Sequence, residues 1–302
     1  MKYALILTYS RAYLPAMNAL LNSLEQFEHD GIEVHVLYHT DLNSIVETVL
    51  KARFPFTIKF VPVVPYFNPA HGCYINFMFA KYNYAQTLAG YDALCHLDGD
   101  VLLMSSLMPY FEIAAKTNLI PCATFPHSSG VKLHHYKTRD ADWAAQMGPL
   151  ANFPVFYSPK LHMDLVKYCW SHMPLPTDGD RARNNEMYVF NKAVHTCGRV
   201  PYILQMPGNY WVSDAFLHQE ALAQTWEGGI PRMHDFLCEQ IHLIHNKFWK
   251  EGVANGELSR TKANPHIPYD LVKAHIDMMN AATDFFNTKC RLKLADLPAY
   301  GG

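Results

Sequence analysis

Asp98, Gly99 and Asp100 put two carboxylates one residue apart with no side chain between them. Such a pair offers hard oxygen ligands to Mg²⁺ or Mn²⁺ and leaves room for a cation that also holds a diphosphate. The chemistry served is departure of a phosphate leaving group, whose growing charge the cation neutralises as a Lewis acid. Taken alone, an Asp-x-Asp is more often a solvated turn or a cap. This one follows directly on the apolar run of residues 91–97, YDALCHL, which reads as a strand. A second group, Tyr210, Trp211 and Asp214, has the composition of a sugar-binding wall. Aromatic faces pack on pyranose faces while a carboxylate takes hydroxyls; a core aromatic pair beside a helix cap accounts for the same residues equally well. Asp140, Asp142 and Trp143 lie in a long irregular stretch, about 127–150, of the kind that orders over a bound ligand.

The elements around the Asp-Gly-Asp alternate. Residues 3–8 (YALILT) read as a buried strand, and residues 13–27 put Leu14, Met17, Leu20, Leu21, Leu24 and Phe27 on one helical face, with Pro15 tolerated in the first turn. Strand 32–38 precedes a helix over 42–51 with Asp41 as its cap; strand 56–61 leads into a Pro-rich connection. A helix over 73–89, stopped by Gly90, then feeds the strand 91–97. Strands alternating with helices predict a mainly parallel sheet, in which ligands bind beyond the carboxyl ends of the strands. The Asp-Gly-Asp falls at such an end. Farther on, a strand is expected near Val155 and Phe156, and a helix over 159–172 capped by Ser158 with Pro159 first. A helix over 183–196, short strands over 202–205 and 240–245, and a helix over 268–292 complete the reading.

Bulk composition narrows the classes. Half of the 302 residues are apolar, enough for a substantial core, and 25 basic against 27 acidic residues leave a formal charge of -2. No run of one sign suggests phosphate-backbone binding. The seven cysteines are dispersed and form no CxxC pair, which reads as free thiols in a reducing cytoplasm rather than a zinc ribbon. Most of the 17 histidines sit among aromatic and apolar neighbours, as packing or surface residues do. Neither a signal peptide nor a membrane span is expected, and no repeat or linker divides the chain.

The segment YDALCHLDGDVLL resembles the DxD-bearing segment of nucleotide-diphospho-sugar transferases of the GT-A type, glycosyltransferase family 8 in particular. The likeness covers most of the first 250 residues. ILTYSRAYLPAMNALLNSL resembles the family's opening strand and helix, RNNEMYVFNKA its acidic residue followed by Asn, and IHLIHNKFWK its late His followed by Lys and Trp. The resemblance implies an α/β, Rossmann-like, mixed but mainly parallel sheet flanked by helices over 1–255, with a helical C-terminal extension packed on it over 256–302. It implies Thr8, Tyr9 and Arg11 beside the nucleotide base and phosphates, and Lys81 facing the diphosphate or donor sugar. Asp98 and Asp100 would hold the metal with His245 as third ligand, Asp98 also serving the donor. Glu186 and Asn191 become donor-sugar or catalytic residues, and Lys247 adds positive charge at the departing phosphate. Two departures stand out: His245 and Lys247 are closer than the family spaces them, and NFPVFYS replaces its Asn-Ser-Gly. The resemblance does not extend to the last fifty residues.

The implied function is metal-dependent transfer of a sugar from a nucleotide diphosphate-sugar, a UDP-sugar by preference, to an acceptor hydroxyl with retention of configuration. The departures support a different reading, a non-catalytic sugar-nucleotide or carbohydrate-binding protein on the same scaffold. A metal-dependent phosphohydrolase built on the two aspartates ranks third, for want of the HxD or HxH clusters that two-metal sites commonly use. A glycan, a lipid-linked sugar, a protein side chain or a modified nucleobase each remains open as acceptor, and the oligomeric state is not legible.

Overall fold

Seven consecutive buried or near-buried residues, Tyr3–Tyr9, form the first strand, β1, and lie in the middle of the sheet. A strand covered on both faces is a continuous apolar run rather than an alternating one. The computed structural model describes residues 1–9, 13–38, 44–63, 73–124, 150–172, 185–203, 210–211, 224–227, 230–233, 236–237, 240–242 and 284. After β1 come α1 (Leu14–Leu24), β2 (Ile32–Tyr38), α2 (Ser44–Arg53), β3 (Ile58–Pro62), α3 (Cys73–Ala85) and β4 (Ala93–Leu97). Then follow β5 (Val101–Leu103), α4 (Met108–Lys116), β6 (Leu119–Thr124), β7 (Leu150–Tyr157), α5 (Met163–Ser171), α6 (Asn185–Thr196) and β8 (Val200–Ile203). Short strands close the described chain: β9 (Tyr210–Trp211), β10 (Gln224–Glu227), β11 (Ile230–Met233), β12 (Phe236–Leu237) and β13 (Gln240–His242).

The main sheet has the order β3-β2-β1-β4-β7-β6-β8. Its pairs are parallel except at β7, which runs antiparallel to both β4 and β6. This is the α/β, mixed and mainly parallel sheet that the β-α rhythm predicts. Among the described residues each face carries three helices. Leu5, Leu7, Val34, Val36 and Cys95 point into a core closed by residues of α1, α2 and α4, including Leu20, Leu50 and Phe111. Ala4, Ile6, Leu37 and Leu94 point into the opposite core, closed by Phe79 of α3, Leu165 of α5 and Phe190 of α6. The turn that returns α1 to β2 needs a glycine: Gly31 has φ +80°, and a Cβ there would lie 2.7 Å from the Met1 carbonyl oxygen.

Some boundaries differ from expectation. The helix expected over 159–172 begins only at Met163, with His162 rather than Ser158 at its N-cap. Residues 159–161 form a turn instead, because the Ser158 carbonyl accepts from the N–H groups of Leu161 and His162, and the Ser158 N–H donates to His162 Nδ1 at 3.1 Å. The strand β5, helix α4 and strand β6 were not foreseen. Of the expected C-terminal helix only Asp284 is among the described residues. Asp41, the expected cap of α2, lies outside them. No helix among the described residues is long and apolar enough to cross a membrane.

Candidate active site

The strand order creates the site. From β1 the chain moves outward to β2 and β3 on one side, then returns across to β4 on the other. The crevice beyond the carboxyl ends of β1 and β4 is therefore a topological switch point, where neighbouring connections diverge and a ligand finds room. The parallel register pairs Leu7 with Leu97, so Thr8 and Asp98 are the next residues on the two sides of that crevice. Gly99 packs close by: a Cβ on it would sit 3.5 Å from the Thr8 carbonyl oxygen. Asp98 is half-buried and Asp100 is 6% exposed.

The Asp-Gly-Asp turn joins two sheets. Asp98 follows the last residue of β4 in the main sheet, and Asp100 precedes β5, which belongs to a three-stranded sheet of order β5-β13-β9. In that small sheet His242 lies opposite Val101, antiparallel, and Trp211 lies beside His242, parallel. Three segments far apart in sequence thus meet beside the aspartates. The expected residues His245, Lys247, Arg11, Asp214, Asp140, Asp142 and Trp143 lie outside the described residues. Among the described residues no three His, Cys, Asp or Glu side chains converge as a metal cluster.

Of the remaining expected residues, two are brought together. Lys81 of α3 and Glu186, in the first turn of α6, form an ion pair whose side chains are 5% and 12% exposed. The Lys81 charge reaches β4, where it adds to burial in holding His96 neutral. Asn191, 2% exposed, spends both ends of its amide on one backbone position. Its Oδ1 accepts from the Leu150 N–H and its Nδ2 donates to the Leu150 carbonyl, each at 2.9 Å. This fastens α6 to the first residue of β7. Tyr9 is 2% exposed and its ring belongs to the core cluster containing Leu14 and Met17, whereas Thr8 faces the other side of the sheet and is partly accessible.

His96, one of the histidines that the sequence offers only as packing or surface residues, stands directly behind the site. It lies two residues before Asp98, fully buried, with Nε2 2.7 Å from the Tyr157 hydroxyl and the rings of Tyr82 and Tyr157 edge-on, each at 5.1 Å. Burial, reinforced by the Lys81 cation, pushes its pKa well below the ordinary value, and burial likewise raises that of Tyr157. Both groups are therefore neutral at pH 7. Alternation along β4 was the available signal, because residues 94, 96 and 98 share a face. Cys95, Cys122, Cys169 and Cys197 are free thiols; burial pushes that of Cys122 up to about 12 and raises those of Cys95, Cys169 and Cys197, so none of these four is primed as a nucleophile.

No protein-family model and no curated protein sequence matches this chain. Solved structures do. The glycosyltransferase GlyE of Streptococcus pneumoniae TIGR4, in its apo form, is 12% identical with a TM-score of 0.56, over 96% of this chain and 64% of that one. The galactosyltransferase LgtC, in complex with donor and acceptor sugar analogues, is 15% identical with a TM-score of 0.52, over 90% of this chain and 99% of that one. The bifunctional glycosyltransferase WbbM, apo, is 11% identical with a TM-score of 0.52, over 80% of this chain; the chain spans 46% of its length. Likeness at this level shows the fold, and the fold is that of GT-A-type glycosyltransferases.

Proposed function

We propose that this protein transfers a sugar from a nucleotide diphosphate-sugar, a UDP-sugar, to an acceptor hydroxyl in a divalent-metal-dependent reaction that retains anomeric configuration. One observation carries the proposal: two carboxylates flank a residue without a side chain at the switch point between β1 and β4. That donor set fits Mn²⁺ or Mg²⁺, because such ions are often held by one or two carboxylates while substrate phosphates supply further oxygens. When bound, the cation supplies Lewis-acid neutralisation of the departing diphosphate. The chain's own contributions are positional. Asp98 and Asp100 set where the diphosphate lies, Gly99 keeps the space between them open, and the half-accessible Thr8 borders the crevice. Glu186 and Lys81 form a neutral pair in the helices over the face of the sheet that Thr8 and Asp98 share, with Glu186 the acidic group offered for sugar hydroxyls. His245 as third ligand, and Lys247 and Arg11 at the phosphates, belong to the proposal through the resemblance.

The test is a thermal-shift screen of nucleotide-sugars with and without Mn²⁺, since a ligand that binds only the folded form raises the melting temperature. A UDP-sugar should raise it more in the presence of Mn²⁺, and Asp100→Ala should abolish the metal-dependent part. No Mn²⁺-dependent response to any nucleotide-sugar, or an unchanged one in the variant, refutes the proposal. Product stereochemistry by NMR checks retention.

A second reading, donor binding without turnover, is favoured by the way two of the expected catalytic groups are engaged. The Asn191 amide is used by Leu150 and the Glu186 carboxylate by Lys81. It predicts a Mn²⁺-dependent shift with no release of nucleoside diphosphate, even with acceptor extracts present.

A further inference from the structure

We infer that His96 and Tyr157 are positioning residues for the Asp98 carboxylate, acting through one hydrogen bond that fixes the end of β4 against β7. The inference rests on the metal-dependent transfer reading and deepens it by naming what sets the place of a metal ligand from behind. Strand β4 is held unequally on its two sides. Its parallel ladder with β1 runs to Leu7↔Leu97, whereas its antiparallel ladder with β7 ends one residue earlier, at His96↔Val155. The next residue along β7 is Pro154, which has no N–H to give a ladder. Main-chain pairing on the β7 side therefore stops two residues short of Asp98.

Side chains join the two strands again at that end. His96 Nε2 lies 2.7 Å from the Tyr157 hydroxyl, and both residues are fully buried. The bond runs diagonally, since the ladder sets Tyr157 opposite Leu94. A slip of β4 along β7, or a parting of the strand ends, would break it. The imidazole is otherwise held only by packing: the rings of Tyr82 and Tyr157 stand edge-on at 5.1 Å each, and among the described residues its Nδ1 has no hydrogen-bond partner. One bond is then the polar anchorage of a buried ring, and its loss leaves the ring with none. Strand alternation carries the effect to the site, because residues 96 and 98 project to the same face about 7 Å apart along the strand. Across β1 the same face holds Ile6, opposite His96, and then Thr8 at the crevice. The imidazole is the floor from which the Asp-Gly-Asp turn rises.

The test uses the full chain with saturating UDP and follows Mn²⁺ binding by the electron paramagnetic resonance signal of the free ion. Tyr157→Phe keeps the ring and removes only the hydroxyl; it should raise the half-saturating Mn²⁺ concentration about threefold or more, the scale of one net hydrogen bond. His96→Gln, whose amide can reach the Tyr157 hydroxyl, should stay near wild type, while the shorter His96→Asn should behave like Tyr157→Phe. This pair carries the test even where the phenylalanine variant fails to fold. Leu165→Ala removes packing from the same core on α5; it should lower the melting temperature and leave the half-saturating concentration unchanged. A smaller shift in Tyr157→Phe, an equal shift in Leu165→Ala, or equal shifts in His96→Gln and His96→Asn overturns the inference while the transfer reading stands. A wild type that binds no Mn²⁺ with UDP sinks the metal-dependent reading itself, and the inference with it.

Discussion

Replacing Lys81 by Met should destabilise the protein far more than an exposed lysine would. The Lys81 and Glu186 side chains are 5% and 12% exposed, so the Glu186 carboxylate would be left in a nearly dry site without its cation. Breaking a buried ion pair by removing one partner costs about 3–5 kcal/mol, because the remaining charge must be desolvated or protonated. Against a typical total of about 5–15 kcal/mol for a folded domain, that is a large fraction. Glu186→Gln should cost less, since the amide oxygen can still accept a hydrogen bond from the Lys81 ammonium. The double variant Lys81→Met/Glu186→Leu should recover to within about 1 kcal/mol of wild type, as apolar replacements of buried pairs commonly do. Urea unfolding of the wild type, Lys81→Met, Glu186→Leu and the double variant, followed by tryptophan fluorescence, measures all four states of the cycle. The coupling energy should be at least about 2 kcal/mol; single effects that simply add, with coupling below about 0.5 kcal/mol, would refute the pairing. Donor binding separates the remaining roles. If Lys81 serves only Glu186, the stable double variant keeps its Mn²⁺-dependent UDP shift; if Lys81 also faces the diphosphate, that shift weakens while stability is restored.

Acid should weaken the fold earlier than ordinary carboxylate titration would. His35, buried on β2 between the hydroxyls of Tyr84 (2.7 Å) and Tyr91 (3.1 Å), has its pKa lowered from 6.5 to about 4 by burial, with the Lys59 charge adding to it. The unfolded chain therefore binds a proton that the folded one refuses. The stabilisation is full above pH 6.5 and is lost as pH falls through about 4, by about 3 kcal/mol in all. Glu33 adds a second loss at lower pH, because Lys59, Tyr91 and Lys2 hold its carboxyl at about 2, below the 4.5 of the free group. Unfolding free energy measured from pH 7 to 4 should fall in the wild type and stay flatter in His35→Gln; equal slopes would refute the assignment. Asn191→Ala strands two buried backbone groups of Leu150, at about 1–3 kcal/mol each, so a loss of about 2–6 kcal/mol is expected in urea. Asn191→Asp, which keeps the acceptor and loses the donor, should fall between.

Legibility in the sequence tracked how local the determinants are. Up to Leu97 each strand is a short apolar run and each helix has its own period, so β1 to β4 could be read in place and order. β7 was visible only as Val155 and Phe156, for a reason carried by Pro154. Proline cannot donate to a ladder and argues against an interior strand. Here it lies just past Val155, where pairing with β4 ends, and where the register against β6 shifts between Cys122 and Thr124. The same bias hid β6, which contains Pro121, and β5 is too short to carry any pattern. The antiparallel sense of β7 and the meeting of β5, β9 and β13 depend on partners more than a hundred residues away in part, and no local window contains them. At the site, the Asp-Gly-Asp and its strand-end position were legible. The Lys81–Glu186 pair and the Leu150 anchor of Asn191 were not, because each joins separate elements.

The two aspartates are held from opposite sides, and this makes their separation a property of both sheets. Asp98 is tied to the main sheet through the Leu7–Leu97 register, and Asp100 to the small sheet through Val101 and His242. The sheets are not independent, because the Leu103 N–H donates to Ser23 Oγ at 3.0 Å and that hydroxyl donates to the Leu20 carbonyl at 2.6 Å, so α1 braces β5. The same helix supplies Leu20 and Leu21 to the core beneath β1. A single helix thus carries both the strand that lines the crevice and the strand that follows Asp100. Packing outside the crevice, through α1 and both sheets, thus helps to preorganise the carboxylate pair within a turn of three residues.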